Sequence, residues 1–162
     1  MHMKISLASA TSLTDLSENT LRRRIAQGVI TRTIEDGPNG RSMIPFESIR
    51  HECCFAIQED DLELIAAADQ GVAAAQNDLA LLFLSHSKAK QAIYWLELAI
   101  KQKNTDAMHW LGRCYIEGTG LTRDENLGLM WLARAAAEGH IISGKMMEAI
   151  RQRALRPDPM MT

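Results

Sequence analysis

The chain is short of several things, and each shortage excludes something. Aromatic residues make up 5% of it. Ala and Leu crowd its second half instead, a bias that favours helix over strand. It has three cysteines, Cys53, Cys54 and Cys114, an odd number with two adjacent. Neighbouring cysteines rarely bridge, and no Cys-x-x-Cys or spaced Cys/His pattern occurs, so neither a disulfide framework nor a zinc module is expected. A reducing, cytoplasmic setting is the simplest reading. His51 beside Cys53 and Cys54 reads as small half-buried thiols near a helix end, not as a metal cluster. The longest strongly apolar run, Leu79 to Leu84, is far short of the roughly 20 residues of a membrane span. The N-terminus lacks an apolar core followed by a small-residue cleavage site, so no signal peptide is expected. Charge of one sign is also missing. The net charge is −2, which by itself argues neither for nor against a nucleic-acid partner.

Catalytic signatures are absent too. Gly118-x-Gly120 lacks the following Lys and the strand context of a phosphate-binding loop. His51, His86, His109 and His140 are scattered without Glu-x-x-His spacing. Glu59-Asp60-Asp61 reads as a linker and a helix N-terminus, where negative charge is favourable. No enzymatic activity, cofactor or metal is expected.

What is present divides in two. At 162 residues, 46% apolar and 23% charged, the chain is long enough for a packed core and lies between one domain and two small ones. Residues 1 to 50 carry seven Lys/Arg and five Asp/Glu, a net +2, and the remainder is −4. A basic head on an acidic body suggests two parts with different partners. The expected boundaries are an N-terminal domain over 1–57, helical repeats over 61–155 and a tail over 156–162.

In the head, Ser6 to Ala10 predicts a short helix ended before Thr14. Ser17 is a good N-cap for a second helix over 17–27. Leu21 and Ile25 form its inner face, and Gly28 stops it. Val29 to Ile34 is β-branched, Glu35 to Gly40 is a dense turn signal, and Arg41 to Ile44 can return as a second strand. Pro45 then starts a helix carrying Phe46, Ile49 and Cys53 on one face.

From Asp61 the pattern is helix after helix, over about 61–70, 73–84, 88–102, 105–117, 124–138 and 141–154. Self-comparison aligns Tyr94-Trp95-Leu96 with Met130-Trp131-Leu132, and Ala75, Leu79 and Phe83 with Ala107, Leu111 and Tyr115. The spacing differs only in the loop holding Gly118 and Gly120, where a repeat tolerates insertion. Leu64 and Ala67 precede Gly71 as Leu132 and Ala135 precede Gly139. The segment 61–70 therefore reads as a second helix lacking its first partner, and 141–154 as a first helix lacking its second. Pro157 and Pro159 then terminate it.

Ala107, Leu111, Gly112, Tyr115, Gly118, Gly120, Asp124, Trp131 and Ala135 to Gly139 resemble the Sel-one-like repeat, a relative of the tetratricopeptide repeat. The copy over about 72–103 departs, with Ala80 for the glycine and no Gly-x-Gly loop. Small residues at Ala107, Gly112 and Ala135 would let helices approach closely, while Leu111, Tyr115, Trp131 and Leu132 fill the core. Trp95, Trp110 and Trp131 read as core packing. The implied fold is mainly α, an α-α superhelix preceded by a small winged helix-turn-helix domain with a β-hairpin. Such stacks bind proteins on the face lined by first helices. That face would hold Asn77, Leu81 and Leu84 on one helix and His109, Arg113 and Ile116 on the other. Because 73–84 is apolar on both sides, a partner protein, a second copy of the chain or the N-terminal domain should cover it.

Leu16-Ser17-x-x-Thr20-Leu21-Arg22-Arg23-x-Ile25-x-x-Gly28 and Gly40-Arg41-x-x-Ile44-Pro45 are similar to the winged helix-turn-helix of excisionases and mercury-resistance-type (MerR) regulators. Arg24 stands where those proteins more often have Trp or Tyr. The resemblance implies a recognition helix over 17–27 whose Asn19, Thr20, Arg22 and Arg23 reach duplex DNA, with Arg32 and Arg41 on the wing contacting phosphate. Three consecutive arginines fan over roughly 200° of helix, so not all can face one groove. Two readings stay open. One is a regulator or adaptor with a DNA-binding head and a protein-binding body. The other is a pure protein adaptor whose head binds no DNA.

Overall fold

The computed structural model describes residues 3–34 and 42–156. The turn expected at 35–40, Arg41, Pro157 and Pro159 lie outside the described residues. Those residues form eight α-helices and three short strands, divided into two compact units, Met1–Trp95 and Leu96–Thr162.

The first unit opens with β1 (Lys4–Ser6), α1 (Leu7–Thr14) and α2 (Glu18–Ala26), followed by β2 (Thr33–Ile34) and β3 (Ser42–Pro45). β3 is the middle strand, antiparallel to both others, with Ile5 opposite Ile44 and Thr33 opposite Met43. Ile5 and Ile44 are fully buried, so this cross-strand pair anchors the sheet. The first helix runs to Thr14, further than expected. The Thr11 and Thr14 hydroxyls donate to the carbonyls of Leu7 and Ala10 at 2.9 and 2.7 Å, within the helix rather than against it. Ser17 caps α2 as predicted, accepting from the Thr20 N–H at 3.1 Å. Gly28, at φ +73°, closes it with the Val29 N–H on the Arg24 carbonyl and the Gly28 N–H on the Ile25 carbonyl. Strand structure starts only at Thr33, and Val29 is exposed.

The segment after Pro45 is not an α-helix. It forms two 3-10 turns, Phe46–Ser48 and Arg50–Glu52. Phe46 and Ile49 are buried as expected, but their i, i+3 spacing fits a three-residue turn equally well. Cys53 ends the second turn, half-buried.

The first unit continues through α3 (Asp61–Asp69), α4 (Ala73–Ser85) and the start of α5 (Ala89–Lys101). Asp69 ties this part to the N-terminal helix. Its Oδ1 accepts from the Ser6 and Ser9 hydroxyls, both at 2.5 Å, and from the Ser6 N–H at 3.1 Å. A carboxylate therefore sits at the N-terminus of α1, where amide hydrogens and helix dipole both favour it. Trp95, buried as expected, donates its indole N–H to the Ser12 hydroxyl at 2.6 Å.

The second unit holds the rest of α5, then α6 (Thr105–Glu117), α7 (Glu125–Ala137) and α8 (Ile141–Ala154). Asn104, Asp124 and His140 cap the three. α7 ends as α3 does: Gly139 and Gly71 both take positive φ, and the next N–H reaches back to Ala135 or Ala67. The alignment of these two ends is thus structural. Ala107, Leu111, Leu132 and Ala135 are buried as expected. Tyr115, Trp110 and Trp131 are only half-buried. Arg113 and Arg134 lie over the two indoles, 5.3 and 5.4 Å from the ring centres, so polar cover replaces core packing there.

α6 and α7 meet backbone to backbone. A Cβ on Gly112 would stand 2.9 Å from the Gly128 carbonyl oxygen, and one on Gly128 would stand 2.7 Å from that of Gly112. Nothing lies within 4 Å of such an atom on Gly144 in α8. Gly112→Ala or Gly128→Ala should therefore cost about 1–3 kcal/mol by overpacking. Gly144→Ala should stabilise by roughly 0.5–1 kcal/mol, because only helix propensity changes. Urea unfolding of the three variants checks the sign of each.

Candidate interaction surfaces

The expected DNA-reading residues fall on α2 and after it. Asn19, Arg22 and Arg23 are exposed at i, i+3 and i+4, a single solvent face with Ala26. Thr20 is half-buried, and its hydroxyl pairs with that of Ser17 at 2.9 Å. Arg22 donates to Glu18 on the same face, whereas Arg24 turns away and pairs with Glu52. Arg32 is exposed and borders a cleft with Arg22, Ile25 and Ala26.

The expected protein-binding arc needs correction. Asn77 and His109 do not face out; each is 4% exposed. Ile116 is half-buried, and its Cγ1 would stand 2.5 Å from a Cβ on Gly128, so it packs on α7. Leu81, Leu84 and Arg113 are half-buried, with Arg113 also paired to Glu117 at 2.7 Å. The physical reason is clearest on α6. It has neighbours on two sides, α7 through Gly112 and Ile116, and α8 through His109. Two neighbours leave a narrower outward arc than a helix with one.

The α6–α8 contact is a polar cluster that the sequence reading missed. Nδ1 of His109 lies 2.8 Å from the Ser143 hydroxyl, and Nδ1 of His140 lies 2.9 Å from it. The His140 Nδ1 also accepts from the Ser143 N–H, capping α8. That bond assigns the proton to Nε2, which donates to Asp106 Oδ1 at 3.0 Å. The two imidazoles pack 4.6 Å apart. The order Asp106, His140, Ser143 parallels that of a nucleophile triad, but Ser143 is 0% exposed and meets no substrate. The cluster instead satisfies buried polar atoms. Its signal in the sequence was weak: Asp106, His109, His140 and Ser143 belong to two helices more than thirty residues apart.

Apolar exposure concentrates on α8. Ile141 and Ile142 are 73% and 58% exposed, and Ile150 is 39% exposed. Ile142, Ala149 and Ile150 recur at i, i+7 and i+8 as one stripe. The helix was expected to lack its second partner, and no described helix covers this stripe. Lys145, Arg153 and Arg156 are exposed around it. Burial disfavours the thiolate at all three cysteines. Burial pushes Cys53 and Cys114 up to about 11 and raises Cys54 as well. Among the described residues no cluster of His, Cys, Asp and Glu could hold a metal, and no helix is long and apolar enough to cross a membrane.

The Sel1 repeat family model matches residues 73–104 and 105–140. Among solved structures, the chain is similar to a Sel1 repeat protein from Oxalobacter formigenes. They share 31% identity with a TM-score of 0.53, over 61% of this chain and 31% of that one. It is also similar to c5321, a protective antigen of uropathogenic Escherichia coli that displays an SLR fold. There the identity is 26% and the TM-score 0.50, over 57% of this chain and 21% of that one. The chain thus spans less than a third of the length of these relatives. No curated protein matches it.

The buried cluster makes stability pH-dependent. Burial lowers the His109 pKa from its usual 6.5, helped by His140 and Arg113 and opposed by Asp106. Below 6.5 the unfolded chain therefore binds the proton more readily than the folded one, and stability falls as pH falls. Above that value the contribution is intact. His109→Gln, which keeps a bond to Ser143, should flatten the decline in urea midpoint between pH 7 and 5. An unchanged slope would exclude His109 as its source.

Proposed function

We propose that this chain is a protein-binding adaptor whose partner seats on the exposed face of α8, a reading supported by the match of the Sel1 repeat model to residues 73–104 and 105–140. Sel1 repeats generally mediate protein interaction. The observation that carries the site is the stripe of Ile142 and Ile150, apolar and open on a helix whose buried side already packs in the second unit. The occupant is an amphipathic helix, which would cover α8 as α7 covers α6. Lys145, Arg153 and Arg156 favour one with acidic flanks. The test is capture of partners with the full chain, identification by mass spectrometry, and calorimetric titration of the purified partner. Ile142→Asp with Ile150→Asp should weaken that titration at least tenfold with helix content unchanged. Equal affinity would refute the site, as would light scattering that shows a dimer dissolved by the same substitutions.

A second reading assigns duplex DNA to α2. Its support is the single exposed face of Asn19, Arg22 and Arg23, preceded by α1 and followed by the paired strands β2 and β3, an order similar to a winged helix-turn-helix. Arg23 makes no ion pair among the described residues and is free to meet a phosphate. Fluorescence anisotropy with mixed-sequence duplex should show binding at low salt. Arg22→Ala and Arg23→Ala should each reduce the slope of log affinity against log salt by about 1. No binding at low salt leaves the pure adaptor.

A further inference from the structure

The cap of α8 is a histidine, and a histidine caps only while it is neutral. Nδ1 of His140 accepts from the Ser143 N–H at 3.1 Å. At the head of α6 and of α7 the same bond ends on a side-chain oxygen, of Asn104 and Asp124. Of these three capping groups, imidazole is the one that takes up a proton between about pH 8 and 5.

The surrounding bonds fix where the protons stand. His140 Nε2 donates to Asp106 Oδ1 at 3.0 Å, so Nδ1 is the bare nitrogen. The Ser143 hydroxyl, 2.9 Å from that nitrogen, donates to it. With its proton spent there, the hydroxyl accepts from His109, 2.8 Å away, and His109 carries its proton on Nδ1. The chain runs from His109 to Ser143 to His140 to Asp106, each group donating to the next, and both rings are neutral.

A second proton on His140 has one place to go, Nδ1, where two donors already point. The Ser143 N–H then faces another N–H and loses its acceptor, and the hydroxyl must turn away. The imidazolium would stand at the positive end of α8, 4.6 Å from the His109 ring. The titratable and charged groups around the pair are Asp106, His109 and Arg113, all on α6. Among the described residues no charged group of α7 bonds to either ring, and α8 contributes Ser143. Only Asp106 favours the cation, and its side chain is 62% exposed, so water screens it.

We infer that His140 is a proton-operated latch on α8: acidification releases the first turn of the helix and withdraws the partner face it carries. Ile142 belongs to that turn, so the apolar stripe loses one of its two anchors. The latch stands on the histidine cluster, and its effect on a partner rests on the adaptor reading of α8.

Hydrogen exchange of the full chain, followed by NMR as protection factors, tests the latch. Between about pH 7 and 5, protection of the Ser143 and Gly144 amides should fall about fivefold in the wild type, the worth of one N-cap. It should stay level in His140→Asn, whose carboxamide caps without titrating, as Asn104 does on α6. A flat wild-type profile would overturn the latch. So would a decline that persists in His140→Asn, which would trace it to His109. Calorimetry of the captured partner at the same two pH values reads the consequence: affinity falls about fivefold on the wild type and is equal at both on His140→Asn. Opened amides with unchanged affinity remove α8 as the partner face and leave the latch. Steady amides beside a pH-dependent affinity remove the latch and leave α8.

Discussion

In the second unit two backbones, not two side chains, set how near α6 and α7 can come. Gly112 and Gly128 stand so near that either Cβ would meet the other's carbonyl oxygen inside 3 Å. A helix pair at that separation admits no side chain at the crossing, and neighbouring groups must seal it. Leu132 and Ile116 do so, each within contact distance of the space the missing atoms would fill. On α6, His109 reaches α8 instead, where it meets a serine hydroxyl that a second histidine also uses. The half-burial of Ile116 follows from the crossing with α7.

In the first unit a single carboxylate plays the corresponding part. Asp69, the last residue of α3, accepts from the backbone and hydroxyl of Ser6 and from Ser9. It therefore satisfies the N-terminus of α1 from a helix more than fifty residues further along. Trp95 adds a second tie to the same helix through Ser12. These bonds make α1 part of the packing around α3 and α5.

Much of this was legible in the residues. Helix positions from Asp61 onward followed from apolar spacing and from the aligned glycines Gly71 and Gly139, which are local signals. The Ser17 cap and the Gly28 stop were legible for the same reason. Pro45 to Cys53 was not, because Phe46 and Ile49 at i, i+3 suit an α-helix and a 3-10 turn alike. Nor were the outward faces. Asn77 and His109 are polar residues opposite an apolar arc, which reads as solvent until their burial is seen.

The sequence alone therefore determined which segments from Asp61 onward are helical, about where each begins and ends, and that they repeat. These depend on residues a few positions apart along the chain. Only the tertiary structure decided which faces meet solvent, that Asp69 holds α1, and that Ser143 is shared by two histidines. Those depend on which helices become neighbours, which no local stretch of residues specifies.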